Sequence, residues 1–121
     1  MRFLVCGSRT FDNYELLDAE LLAASVIHGE PTLIINGGMT GADALSSFWA
    51  YENDINTLCF GAQWGDHKSA AGPIRNAQML DEGKPDVVFA FYDKPRSSSR
   101  GTANMVTHAR RAGIEVVEVD A

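Results

Sequence analysis

The chain has 121 residues, 45% of them apolar, which is the size and composition of one ordinary globular domain spanning 1–121. No run of about 18 apolar residues occurs, and the apolar stretch in MRFLVCGSR is too short for a signal peptide, so neither a membrane span nor secretion is expected and the location is read as cytoplasmic. Ten basic against 16 acidic side chains give a formal charge of -6, which disfavours a broad nucleic-acid footprint but leaves room for a local anion pocket built on Arg9, Arg75, Arg96 and Arg100.

RFLVCG is a continuous apolar run, as expected of a strand covered on both faces. DNYE at 12–15 has the form of a capping box, and the helix after it carries Leu16, Leu17, Leu21 and Ala24 on one stripe. TLIING is a second strand and GADALSSFWAYEND a second helix, with Ala42, Leu45, Phe48 and Trp49 as its apolar stripe. NTLCFGA is a third strand. GPIRNAQMLDEG is a short helix with Pro73 near its first turn and Gly83 past its end. DVVFAFY is a fourth strand, and YDKPRSSSRG (92–101) reads as a mobile loop. GTANMVTHARRAG is a helix closing on Gly113, and IEVVEV is a last strand with the alternation of a sheet edge. Cys6 and Cys59 lie far apart, without CxxC or Cys/His spacing. They read as two buried thiols, so no disulfide frame, metal or cofactor is expected.

This alternation predicts an α/β fold: a single Rossmann-like, open, mostly parallel five-stranded sheet with helices on both faces. Ligands of such folds sit at the carboxyl ends of the strands, where the strand order reverses. Four such ends collect Gly, Ser, Arg and Asn.

In GSRTF, Gly7 lets backbone N–H groups approach a ligand, Ser8 offers a hydroxyl and Arg9 a planar fork suited to phosphate; a plain turn with a solvated Arg explains the same residues. NGGMTGAD lacks the lysine of a Walker A loop and the spacing of GxGxxG, which disfavours a P-loop NTPase. There Gly37, Gly38 and Gly41 would admit a ligand close to the backbone. Asp43 or Asn36 would accept from sugar hydroxyls, unless Asp43 only stabilises its helix start. In the third end, Arg75 and Asn76 fall in the first helical turn, where an Arg opposes the helix dipole and so suggests an anion or carboxylate nearby. Trp64 is open to base stacking or to packing. His67 has no identifiable partner as a base, Lys68 lies beside it, and Met79 suits the core. In the fourth end, free N–H groups at Gly101 and Thr102 would form an anion cradle, or Thr102 would simply cap the helix; mid-helix His108 reads as surface.

Taken together, VCGSRTF, NGGMTGADALSSFWA, AGPIRNAQML and GTANMV resemble the YspA-like (YAcAr) branch of the SLOG superfamily along nearly the whole chain. Its members are Rossmann-like and occur in bacteria and phages. The superfamily also holds the LOG phosphoribohydrolases and the DNA-processing protein DprA. The resemblance implies a nucleotide or ADP-ribose-type ligand, bound by a sensor or sequestering protein that could be phage-encoded. LOG enzymes carry an Arg at the position of Arg75 and a catalytic Glu after a GT loop, where this chain has Asn104. Asn cannot stabilise the cation-like sugar formed when an N-glycosidic bond breaks. Candidate catalytic residues are therefore Arg75, Asp43 and Asn104, with a nucleoside-phosphate N-glycosidase or related nucleotide hydrolase as the alternative function. Single-stranded DNA binding ranks last, against the charge. Many SLOG proteins are homodimers or larger, so a homo-oligomer is open, and an exposed Phe48/Trp49 pair would serve packing or an interface.

Overall fold

The computed structural model describes residues 1–61 and 71–121. The readings placed on Trp64, His67 and Lys68 lie outside the described residues. In chain order the elements are β1 (Arg2–Gly7), α1 (Tyr14–His28), β2 (Leu33–Asn36), α2 (Ala42–Glu52), β3 (Asn56–Cys59), α3 (Ala71–Gly83), β4 (Val87–Tyr92), a 3-10 turn (Arg96–Ser98), α4 (Arg100–Arg111) and β5 (Glu115–Asp120). The strands form one sheet in the order β3-β2-β1-β4-β5, and every pairing is parallel.

The chain walks from β1 out to β3, then returns to the other side of β1. Crossovers of one hand therefore place α1 and α2 on one face of the sheet and α3 and α4 on the other. Successive strand residues point to opposite faces, so the two central strands feed two cores. Phe3 and Val5 pack with Phe89 and Phe91 under α1 and α2. Leu4 and Cys6 pack with Val88 and Ala90 under α3 and α4. That double burial is why RFLVCG and VVFAFY read as unbroken apolar runs. The rings of Phe3 and Phe89 are 5.0 Å apart and those of Phe11 and Phe91 5.3 Å apart. Each such fully buried side chain contributes about 1.5–3 kcal/mol.

Several local expectations change. The N-cap of α1 is Asn13, whose side chain accepts from the Leu16 N–H at 3.1 Å, so the cap lies one residue beyond Asp12, the cap position of the expected box. The buried stripe of α1 is Leu17, Leu21 and Ala24; Leu16 is half-buried at its margin. Trp49 is buried, because its Nε1–H finds the Asp18 carboxylate at 2.8 Å and its rings can enter the core. Only Phe48 of the expected pair is exposed, edge-on to Tyr14. Gly83 is the last residue of α3, and the left-handed residue that follows is Lys84, at φ 49°. Cys59 is exposed, as are all four residues of β3, an edge strand of the sheet.

The loop after β4 is pinned. Arg96 forms a fork on Asp120, with bonds of 3.2 and 2.7 Å, reaches Glu118 and lies over the Tyr92 ring. Helix α4 begins at Arg100 with Ser99 as N-cap, so Thr102 is its third residue, buried, and not its cap.

Candidate functional site

The sheet order reverses between β1 and β4, and a cleft of about 420 Å³ opens at the carboxyl ends of those two strands. This volume lies within the roughly 300–1,000 Å³ of ordinary small-molecule sites. Cys6 and Gly7 end β1 in its floor. The Cys6 thiol is buried against the Phe89 carbonyl, and burial pushes its pKa far up, so it is an inert floor group.

The loops after β1 and β4 are tied to each other. Ser8 N–H donates to the Phe91 carbonyl at 2.9 Å, Ser8 Oγ accepts from the Asp93 N–H at 3.3 Å, and Thr10 Oγ1 donates to Asp93 Oδ2 at 2.7 Å. The Thr10 hydroxyl is the main reason the Asp93 carboxyl sits below the usual carboxylate range. Ser8 Oγ also lies 3.3 Å from Ser99 Oγ, which joins this loop to the start of α4. On the other side, the Ala42 N–H reaches the Ser8 carbonyl at 3.3 Å. That contact requires Gly41: at φ 79°, a Cβ there would stand 2.2 Å from the Ser8 carbonyl oxygen.

A second unit is built on Asp43. Its Oδ2 reaches back to accept the Gly37 and Met39 N–H groups at 3.1 and 3.2 Å. The residue therefore organises the loop before its helix, beyond any effect on the helix dipole. Burial pushes its carboxyl above the usual range, against the pull of the Met39 N–H, the Arg75 charge and the Gly37 N–H. Arg75 reaches across from α3. Its Nη1 donates to the Gly37 carbonyl and its Nε to Asn76 Oδ1, each at 3.1 Å. A Cβ on residue 37 would stand 2.0 Å from Arg75 Nη1, so Gly37 makes room for the guanidinium. Burial lowers the Arg75 pKa from its ordinary value; Asp43 opposes that shift and Arg9 adds to it. Nη2 of Arg75 has no hydrogen-bond partner among the described residues. Asn36 is fully buried and spent on structure: its Nδ2 donates to the Asp43 carbonyl and to Ser46 and Ser47 Oγ, and its Oδ1 accepts from the Gly38 N–H and the Cys59 thiol. It is not available to a sugar.

The third unit joins α3 to α4. Buried Asn76 donates from Nδ2 to the Gly101 carbonyl and to Asn104 Oδ1, both at 3.0 Å. No side chain caps α4, and among the described residues no acceptor takes the N–H groups of Arg100, Gly101 and Thr102. These residues line the cleft. A helix start left this way favours negative charge through its free N–H groups and its dipole.

Of the expected site residues, Gly7, Ser8, Arg9, Asp43, Arg75, Asn76, Gly101 and Thr102 meet in this cleft. Gly37, Gly38 and Gly41 stand behind it, where Gly37 and Gly41 admit protein groups rather than a ligand. Asn104 is one layer back, held by Asn76. Arg96 is committed to Asp120 and Glu118. The sequence reading left Thr10, Lys94 and Ser99 out of the site, although all lie at or beside the strand ends flanked by Gly, Ser and Arg. Among the described residues, the lining holds four cationic side chains, Arg9, Arg75, Lys94 and Arg100, against one carboxylate, Asp43. Among the described residues, no group of His, Cys, Asp and Glu is arranged to hold a metal ion, and no helix is long and apolar enough to cross a membrane.

A parallel sheet wound on both faces, with a cation-lined cleft and an open helix start at its switch point, defines a Rossmann-like α/β protein whose cleft lies where such folds place their ligands. Residues 1–67 match the YspA, cpYpsA-related SLOG family, and the chain belongs to that family. Membership carries a nucleotide-related function in general terms. No curated protein and no solved structure matches the chain.

Proposed function

We infer that the cleft binds a phosphate-bearing small molecule of nucleotide type, with an ADP-ribose-like ligand as the specific case, and that the protein senses or sequesters it. The carrying observation is the charge of the lining. Among the described residues four cations meet one acid there, in a chain whose formal charge is -6. Arg9, Arg75 and the open start of α4 would take phosphate oxygens, and Asp43 would face ribose hydroxyls. Binding without fast turnover is supported by position 104, where Asn104 carries no charge and its Oδ1 accepts from Asn76. The test is a thermal-shift screen against nucleoside mono- and diphosphates, ADP-ribose and the unphosphorylated nucleosides. Phosphate-dependent stabilisation is expected, and no stabilisation by any phosphorylated compound at millimolar concentration would overturn the reading.

One observation favours a second reading, hydrolysis of an N-glycosidic bond. Asp43 is a carboxylate in the cleft whose Oδ1 has no hydrogen-bond partner among the described residues. Such a group could stabilise a cation-like sugar. Incubation with AMP and NAD followed by chromatography decides it: released base that disappears in Asp43→Asn supports the enzyme, and no released base leaves binding alone.

A further inference from the structure

Charge is divided unevenly along this chain. Residues 10–61 hold eight carboxylates and no Lys or Arg, whereas the rest holds all ten Lys and Arg beside eight carboxylates. Residues 10–61 include α1 and α2, the two helices that cover one face of the sheet. The outer surface of that pair is acidic, and it is also apolar.

The second half of α1, LLAASVI, is apolar around most of its circumference, although only Leu21 and Ala24 of it are buried. Leu22 is 47% exposed, Val26 87% and Ile27 77%; on α2, Phe48 is 50% exposed and Tyr51 77%. Between the two helices runs a groove of about 330 Å³ with Trp49 and Ile55 in its lining, Leu22 and Val26 along α1, and Glu30 at one end. A helix that stays apolar beyond the stripe its own core needs is normally covered by something else. Glu30 lines the groove, Asp18 holds the Trp49 Nε1–H, and Glu52 and Asp54 line the surface next to Ile55. His28, at the end of α1, pairs with Glu115 and leaves that acidity in place.

The charge decides what can cover the patch. A second copy docking the same face about a two-fold axis would set carboxylates against carboxylates at close range, which is costly. An anionic membrane surface or a nucleic acid meets the same repulsion. We propose that the α1/α2 face is a docking surface for a positively charged amphipathic segment of another protein, with apolar anchors entering the Leu22–Val26–Trp49 groove and Lys or Arg side chains pairing with the acidic rim. This is the helix-in-groove form of recognition, with the rim fixing partner choice and the groove providing the anchor. The surface lies on elements other than those supplying the cationic cleft side chains, so it stands or falls separately from the nucleotide reading.

The test is a selection of random peptides on the immobilised full chain, counter-selected on Val26→Glu/Ile27→Glu. Both side chains are mostly exposed, so the variant should fold, and an unchanged melting temperature verifies it. Enriched peptides are expected to carry net positive charge with apolar residues at helical spacing. They should bind the variant about tenfold or more weakly and lose affinity as salt rises. A Glu30→Gln/Glu52→Gln variant, which keeps the groove, should weaken the same peptides and flatten their salt dependence. No enrichment over the counter-selected variant overturns the proposal, and so does enrichment of neutral or acidic peptides. A dimer in sedimentation that Val26→Glu/Ile27→Glu dissociates also overturns it, because the occupant would then be a second copy.

Discussion

Arg75→Ala is the sharpest test of the cleft. The wild-type guanidinium uses Nη1 on the Gly37 carbonyl and Nε on Asn76 Oδ1, no described residue takes Nη2, and in the proposed reading Nη2 meets the phosphate. A hydrogen bond to a charged group contributes about 1.5–3 kcal/mol, so losing one such contact to phosphate should raise Kd by roughly 13- to 150-fold. At a ligand concentration of about 100 times the wild-type Kd, binding stabilises the fold by about 2.7 kcal/mol. For a domain of this size 1 kcal/mol corresponds to about 4 °C in Tm, so the wild-type shift is about 11 °C. The same concentration should shift the variant by only about 1–5 °C. Without ligand the variant should lose about 1–2 kcal/mol, because removing the Arg75 side chain from the cleft lets water follow it to the Gly37 carbonyl and Asn76 Oδ1 and replace the lost donors. Differential scanning fluorimetry with a nucleoside monophosphate and with its nucleoside reads both quantities. If Arg75→Ala keeps the full phosphate-dependent shift, or loses the nucleoside shift equally, Arg75 is not a phosphate contact and the assignment of roles in the cleft is wrong.

Three further outcomes are expected. Asp43 has a folded pKa above its ordinary 3.8, so its ionisation subtracts stability as pH rises through that raised value, and the deficit persists at neutral pH. Asp43→Asn keeps an oxygen for the Gly37 and Met39 N–H groups; urea melts should find it no less stable than wild type at pH 7, with the difference closing in acid, while its affinity for ribose-bearing ligands falls. A wild type clearly more stable at pH 7 contradicts this. Gly41→Ala places a Cβ against the Ser8 and Arg9 backbone at positive φ, and chemical denaturation should show a loss of about 2 kcal/mol or more. Thiol titration should find one fast thiol, Cys59, in the native protein and two after unfolding, because Cys6 is buried; two fast native thiols would contradict the floor of the cleft.

The sequence by itself determined the architecture, because burial on both faces leaves a mark that no neighbour can hide. RFLVCG and VVFAFY are continuous apolar runs, each helix between strands carries an apolar stripe for the sheet, and the two together allow little but a doubly wound parallel sheet. It also marked the strand ends where eight expected residues meet, since Gly, Ser and Arg collect there for lack of a core to fill. What each residue does there was decided only by tertiary structure. Gly37 and Gly41 look like ligand-admitting glycines in one dimension, but the groups that crowd them are Arg75 from α3 and the β1 loop, both distant in sequence. Arg9, Arg75, Arg96 and Arg100 look equivalent as a list of cations. The fold spends Arg96 on the β5 carboxylates and leaves the other three in the cleft beside Lys94. Trp49 and Phe48 are adjacent in the chain, yet a helix turns neighbours about 100° apart, so one enters the core and the other faces outward. Periodicity fixes what a residue's own element needs; its function depends on which distant backbone the fold brings against it.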